Sequence, residues 1–169
     1  MINLILATDV NWCIGKNNWL CWDLKEDLKY FSEKTKWNIV IMWKNTYLSL
    51  PQQFRPLPWR INFVVSRSLK DDNVKVFKDL NTAIQEAKKL WKEIFLIGWK
   101  SIYDEWIKLA DRIYLTQVKQ AFDCDVCLWE EFFEELFNNF KRTYESLPIK
   151  ENWITYQFIT LDRINKKNW

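Results

Sequence analysis

Histidine is absent from the 169 residues, and glycine occurs only twice. Without imidazole the commonest general base and metal ligand are missing, which excludes His-dependent triads and HExxH zinc sites. Proton chemistry must rest on carboxylates, tyrosine, lysine or water. Long apolar runs are also missing. MINLILATDV at the start has no basic lead and no small-residue cleavage pattern, and it falls well short of the ~20 residues a membrane span needs. On this reading the chain meets no membrane and works in the cytoplasm. Lysine plus arginine number 25 against 22 acidic residues, without a basic run of five or six. The electrostatic footprint of a nucleic-acid binder is therefore lacking, while a small anionic ligand remains compatible.

Cysteine is sparse: four residues, at 13, 21, 124 and 127. They are too few and too unevenly spaced to frame a disulfide-stapled secreted fold, and read as reduced thiols. CDVC at 124–127 has the spacing of a zinc knuckle or redox pair. No second CxxC and no histidine would complete four ligands, so it reads as two ordinary thiols and no metal is expected. The glycine shortage has a counterpart. An average chain of this length carries roughly 12 glycines, whereas this one has 2 glycines and 12 tryptophans.

What is present is an alternation of strands and helices. The length suits one domain, residues 1–169, with a sizeable core. Ile2–Ala7 reads as a buried strand, followed by a polar loop from Asp9 to Trp22. Leu24, Leu28 and Phe31 put an apolar stripe on a helix running to about Thr35, with Asp27 beside that stripe and near the core side. Strands follow at Ile39–Met42, Ile61–Ser66 and Ile94–Ile97. Helices are expected at Lys44–Leu50, stopped by Pro51, at Leu80–Leu90 and at Ser101–Leu109. This alternation predicts a largely parallel sheet. After Ala110 strands dominate, at Arg112–Val118, Lys141–Ser146 and Ile154–Leu161, and the last of them should be antiparallel. The expectation is an α/β fold, a mixed and mostly parallel central sheet flanked by helices, with ligands at the carboxyl ends of strands where the topology switches.

Five separated segments carry a resemblance: Ile14-Gly15 with Leu20-Cys21-Trp22; Glu26-Asp27-Leu28 through Phe31; Ile41-Met42-Trp43-Lys44-Asn45-Thr46-Tyr47; Pro56-Leu57-Pro58-Trp59-Arg60; and Ile97-Gly98-Trp99-Lys100-Ser101-Ile102-Tyr103. Ala110-Asp111-Arg112-Ile113-Tyr114-Leu115-Thr116 follows in register. In order and spacing the chain resembles the dihydrofolate reductases from first strand to last. The resemblance implies reduction of 7,8-dihydrofolate to tetrahydrofolate by hydride from NADPH, in folate and one-carbon metabolism; a monomer is the default expectation. Two rivals stand beside it. One is the related NADPH-dependent reductase of riboflavin synthesis, which lacks a carboxylate at the Asp27 position. The other is an inactive product.

The resemblance assigns roles residue by residue. Asp27 would grip the pterin and promote its protonation through a water, with Thr116 bonded to it and Trp22 holding the water. Leu20 and Tyr103 would lie near the nicotinamide. Main-chain carbonyls of Ile5 and Ile97, with Ala7, would border the pterin; Leu28, Phe31, Leu50 and Leu57 would wall the substrate; and Arg60 would fork onto its α-carboxylate. For the cofactor the matching positions are Ala7, Ile14 and Gly15 at the nicotinamide, and Trp43, Asn45 and Thr46 at phosphate. Lys44, Ser66 and Arg67 match the 2′-phosphate readers, and Gly98, Trp99, Lys100, Ser101 and Ile102 the close backbone approach. Residues 9–24 would form a mobile lid, in which Cys21 replaces a usual proline.

The departure from the family is systematic. Trp43, Trp59 and Trp99 stand where the family has glycine, and Trp12 and Trp37 where it often does. Gly to Trp is among the harshest exchanges for packed backbone. The pattern fits UGA codons that mean glycine in the source organism and were translated as tryptophan. The competing reading is a true Trp-rich variant.

Overall fold

The computed structural model describes residues 1–17, 19–98, 103 and 106–164. Its centre is a sheet built on β1 (Ile2–Thr8), whose apolar run is buried and whose two edges are both paired. On one side lie β6 (Ile94–Leu96), β3 (Ile39–Trp43), β4 (Ile61–Val65) and β5 (Lys75–Phe77), each parallel to its neighbour. On the other lies β7 (Arg112–Val118), parallel to β1 with Ala7 opposite Thr116. Beyond it β11 (Ile154–Arg163) runs antiparallel and also pairs with β9 (Phe140–Glu145) and β10 (Ile149–Glu151). The mixed sheet with its antiparallel C-terminal strands is the one expected from the strand–helix alternation.

Near-continuous Val, Ile and Leu in β1, β3, β4 and β6 suits strands covered on both faces. Leu4, Ile39, Ile41, Phe63, Leu96, Trp106 and Ile107 anchor one buried cluster, and Ile5, Val40, Met42, Val64 and Phe95 a second. The helices are α1 (Lys25–Thr35), α2 (Lys44–Ser49), α3 (Leu80–Lys88) and α4 (Glu130–Asn139). Asp79 caps α3, its carboxylate accepting from the Thr82 amide at 2.8 Å.

The structure amends the sequence reading in three places. First, α4 lies where no helix was expected; Phe132 and Leu136 are its buried residues, spaced by four. Second, residues 101, 102, 104 and 105 of the expected helix at 101–109 lie outside the described residues; Tyr103 and Trp106 are helical and Ile107–Leu109 is a 3-10 turn. Third, the cysteines are bridged, Cys13 to Cys127 and Cys21 to Cys124, with none left free. The reduced-thiol reading is thereby corrected. Its physical reason is a second, two-stranded sheet that no local pattern announces: β2 (Cys13–Gly15) pairs antiparallel with β8 (Val126–Cys127), setting Cys13 opposite Cys127.

Five tryptophans, at positions 12, 37, 59, 91 and 153, adopt φ between 54° and 68°. This left-handed region costs an L-residue roughly 1–2 kcal/mol, and only glycine visits it freely. Asn152 and Trp153, both at positive φ, form the two-residue turn between β10 and β11. That is the type I′ conformation, for which Asn-Gly is the preferred pair.

Candidate functional site

The parallel strands bring their carboxyl ends to one edge, and most of the sequence-predicted residues collect there. The centre is Asp27, in the first turn of α1. Its side chain is buried at 8% exposure, and Oδ1 accepts a 2.6 Å hydrogen bond from the Thr116 hydroxyl. Thr116 is held by both neighbours of β7, opposite Ala7 on β1 and Phe158 on β11. Burial pushes the Asp27 carboxyl up to about 6; the Thr116 hydrogen bond opposes the shift and the nearby charge of Glu151 adds to it. A carboxyl with this titration can hold or release a proton near neutrality.

Trp22 is buried in a small apolar cluster with Leu24, Val118 and Tyr156, its ring tilted against Phe122. Its indole Nε1 is buried and finds no protein acceptor among the described residues. A buried donor without a partner is costly unless a ligand or water answers it.

Leu6, Ala7, Ile14, Leu20, Gly98 and Tyr103 line a neighbouring cavity of about 60 Å³. Formed ligand clefts measure ~300–1,000 Å³, so this cavity is too small for a ring the size of nicotinamide. Gly98 sits at φ 156°. The Tyr103 hydroxyl accepts from the Gly98 amide at 3.2 Å and donates to the Ile5 carbonyl at 3.3 Å. Burial pushes this phenol up to about 12, which keeps it a donor. Trp99, Lys100, Ser101 and Ile102 lie outside the described residues.

Of the substrate-wall positions, Leu57 is buried, and Phe31 and Leu50 pack half-buried on the second core cluster. Leu28 is 55% exposed; the stripe of α1 turns inward at Leu24, Asp27 and Thr35 instead. Arg60 lies over Phe31, its Nε donating to the Thr35 hydroxyl and one terminal nitrogen to the Pro58 carbonyl. Ile97 is buried and joins β3 through its amide on the Ile41 carbonyl.

At the ends of β3 and β4 a second polar group forms. Lys44 Nζ donates to the Ser68 hydroxyl at 3.0 Å, while Ser66 Oγ accepts from the amides of Ser68 and Leu69. Arg67 and Asn45 are exposed beside them. Thr46 Oγ1, in the first turn of α2, is buried without a hydrogen-bond partner among the described residues. Trp43 precedes α2, half-buried, its ring stacked on Trp106 at 6.2 Å.

The expected lid, residues 9–24, is fastened to the segment 120–128. Asp9 is wholly buried; its carboxylate takes the amides of Asn11, Cys13 and Phe122. The Asp125 amide donates to Gly15 and the Leu128 amide to Trp12. The two disulfides join the same segments. The sequence reading missed the cysteine pairs because their partners are more than 100 residues away, and of the amides that Asp9 takes, that of Phe122 is 113 residues away. Each bridge closes a loop longer than 100 residues, so reduction is expected to lower stability by about 2–4 kcal/mol per bridge. Denaturant melts with and without dithiothreitol, with thiols counted before and after reduction, check this. Four reactive thiols in the untreated protein would contradict it.

A family model described as Dihydrofolate reductase matches residues 1–163. The chain belongs to the dihydrofolate reductase family. Among its relatives are the dihydrofolate reductase of Drosophila melanogaster, 32% identical over 95% of this chain and 97% of that one, and that of Haemophilus influenzae, 33% identical over 95% and 98%. In fold it is similar to the dihydrofolate reductase from Enterococcus faecalis complexed with NADP(H) and RAB-propyl, with a TM-score of 0.85 and 24% identity over 98% of this chain and 97% of that one.

Proposed function

We propose that the chain, as one domain, reduces 7,8-dihydrofolate to tetrahydrofolate with NADPH, and that Asp27 both orients the pterin and feeds the proton. The observation that carries this is the buried Asp27–Thr116 pair at 2.6 Å, beside the cavity under the lid. Reducing a C=N bond needs a proton on nitrogen and a hydride on the adjacent carbon. NADPH, when bound, supplies the hydride. Everything else falls to the chain's own side chains. Thr116 occupies Oδ1 of Asp27, leaving the other oxygen for the pterin's 2-amino and N3 edge. The unpaired Nε1 of Trp22 holds the water through which the proton passes. Leu28, Phe31, Leu50 and Leu57 enclose the substrate, with Arg60 at its carboxylate and the carbonyls of Ile5 and Ile97 at its ring. The carboxyl of Asp27 also favours this reading over the reductase of riboflavin synthesis.

The cofactor's fit is tested by the unpartnered hydroxyl of Thr46, a buried acceptor and donor that a phosphate would satisfy. Lys44, Ser66 and Arg67 supply the cation and hydroxyl set for a 2′-phosphate, which favours NADPH over NADH. Ala7, Ile14, Gly15, Leu20, Tyr103 and Gly98 border the nicotinamide, and Asn45 and residues 99–102 complete the cofactor set. Trp43 is the misfit, because an indole occupies ground that the family gives to glycine.

We propose further that positions 12, 37, 43, 59, 91, 99 and 153 carry glycine in the protein made by its source cell. Chemical sequencing of natively made protein checks this, and tryptophan at those positions would end the idea. The compartment we propose is the cytoplasm, and the state a monomer. No helix among the described residues is long and apolar enough to cross a membrane.

Thermal shift tests the site as a binding site. A 2,4-diaminopyrimidine antifolate is expected to raise Tm, and to raise it less in Asp27→Asn, because ligand binding to the folded state alone stabilises it. Equal shifts in both proteins would argue against Asp27 as the pterin anchor.

A further inference from the structure

α1 begins without a cap of its own. Leu24 precedes it and has no side-chain acceptor for the first-turn amides, which leaves orphan donors at the helix start. The acceptor comes from across the chain. Glu151, at the end of β10, takes the Lys25 amide on Oε1 at 2.8 Å and the Glu26 amide on Oε2 at 3.3 Å. The Tyr156 hydroxyl on β11 donates to Oε2 at 3.2 Å and steadies the carboxylate. The tight turn at Asn152 and Trp153 folds β10 back on β11 and so delivers Glu151 to this place. One residue beyond the capped amides stands Asp27.

We propose that Glu151 is a positioning residue for the reaction: by capping α1 from the β10–β11 hairpin, it fixes where the Asp27 carboxyl sits and places a negative charge near it. This rests on the reading of Asp27 as the acid of the reaction. A helix N-terminus alone stabilises a nearby carboxylate. An anion that takes two of its amides offsets that field, so that burial and Glu151 act together to keep the Asp27 proton.

The groups around Asp27 allow this contribution to be isolated. Thr116 from β7 is neutral. Tyr30 from α1 itself and Tyr156 from β11 have phenols pushed upward by burial and remain neutral throughout the working range. Glu26, on the same helix, is exposed, with Lys29 Nζ 3.8 Å from its carboxylate. Glu151 is held below the usual carboxylate range, chiefly by the Lys25 amide, and so stays charged while Asp27 titrates.

The test is the titration of the Asp27 carboxyl carbon, followed by NMR with 13C-labelled aspartate in the parent chain and in Glu151→Gln, using Asp27→Asn to assign the signal. Glutamine keeps the shape and an acceptor oxygen but removes the charge. The Asp27 midpoint is expected to fall by roughly half a unit, the size of one partly screened charge interaction. Where turnover is measured, the pH inflection of kcat/KM should move with it. Glu151→Ala should move the midpoint in the same direction and also lower Tm, through the lost cap. An unmoved midpoint in folded Glu151→Gln overturns the proposal, even if Tm falls. Because the titration needs no substrate, a moved midpoint without turnover would support the positioning role while counting against the catalytic reading.

Discussion

Asp27→Asn is expected to lower kcat/KM for dihydrofolate by about 10²–10⁴, the usual worth of a positioned acid, and at the same time to make the protein more stable at neutral pH. The second effect follows from the first residue's environment. Burial pushes the folded carboxyl up to about 6 from its ordinary 3.8, so it binds its proton more tightly folded than unfolded. Between those two values the folded state holds more protons, and stability falls as pH rises. Above about 6 the whole penalty is present, up to about 3 kcal/mol for a shift near two units. Below 3.8 it vanishes. Asparagine keeps an oxygen for the Thr116 hydroxyl and never ionises, so the variant should gain stability at pH 7.5 and little at pH 4. Urea melts at the two pH values check the sign. The same titration shapes activity: with one proton consumed per turnover, the chemical step should slow above pH 6, approaching tenfold per unit.

The largest gain in stability is expected from returning glycine to positions 12, 37, 59, 91 and 153. At roughly 1–2 kcal/mol each, five left-handed tryptophans strain the fold by about 5–10 kcal/mol, comparable with the entire 5–15 kcal/mol margin of an ordinary domain. Glycine gives some of this back through the greater entropy of its unfolded chain. A net gain near 1 kcal/mol per site would raise Tm by about 10–20 °C for all five. Trp91 and Trp153 are 96% and 86% exposed, so replacing them removes little packing and reads the backbone effect almost alone. Trp12 packs edge-on against Phe133 and should gain less. Calorimetry on the single and combined variants checks the order, and a loss of stability at position 91 would refute the strain argument.

What the sequence made legible follows the range of the interaction that decides each feature. β1, β3, β4 and β6 announce themselves by near-continuous apolar runs, and α1 ends at Thr35 as its spacing predicts. The Asp27–Thr116 pair spans 89 positions; no local pattern connects them, and only the resemblance did. α4 carried a readable signal, Phe132 with Leu136 and Phe133 with Phe137. It went unread because position 129 offers tryptophan where a capping Ser, Thr, Asp or Asn would mark a start. The disulfides were misread because cysteine spacing along the chain is silent about β2 meeting β8. Leu28 follows the helical period yet is 55% exposed, because periodicity marks a shared helix face and not whether another element covers it. The surplus of tryptophan was plain in the composition; that five of them demand positive φ is a property of turns, visible only in the fold.

The most direct trial is the oxidation of NADPH by the chain carrying glycine at 12, 37, 43, 59, 91, 99 and 153, followed with and without dihydrofolate. The account predicts oxidation that requires dihydrofolate, yields tetrahydrofolate in equal amount, and collapses when Asp27 is also changed to asparagine. A folded protein of that composition that leaves NADPH untouched in the presence of dihydrofolate, or one indifferent to the loss of Asp27, would contradict it.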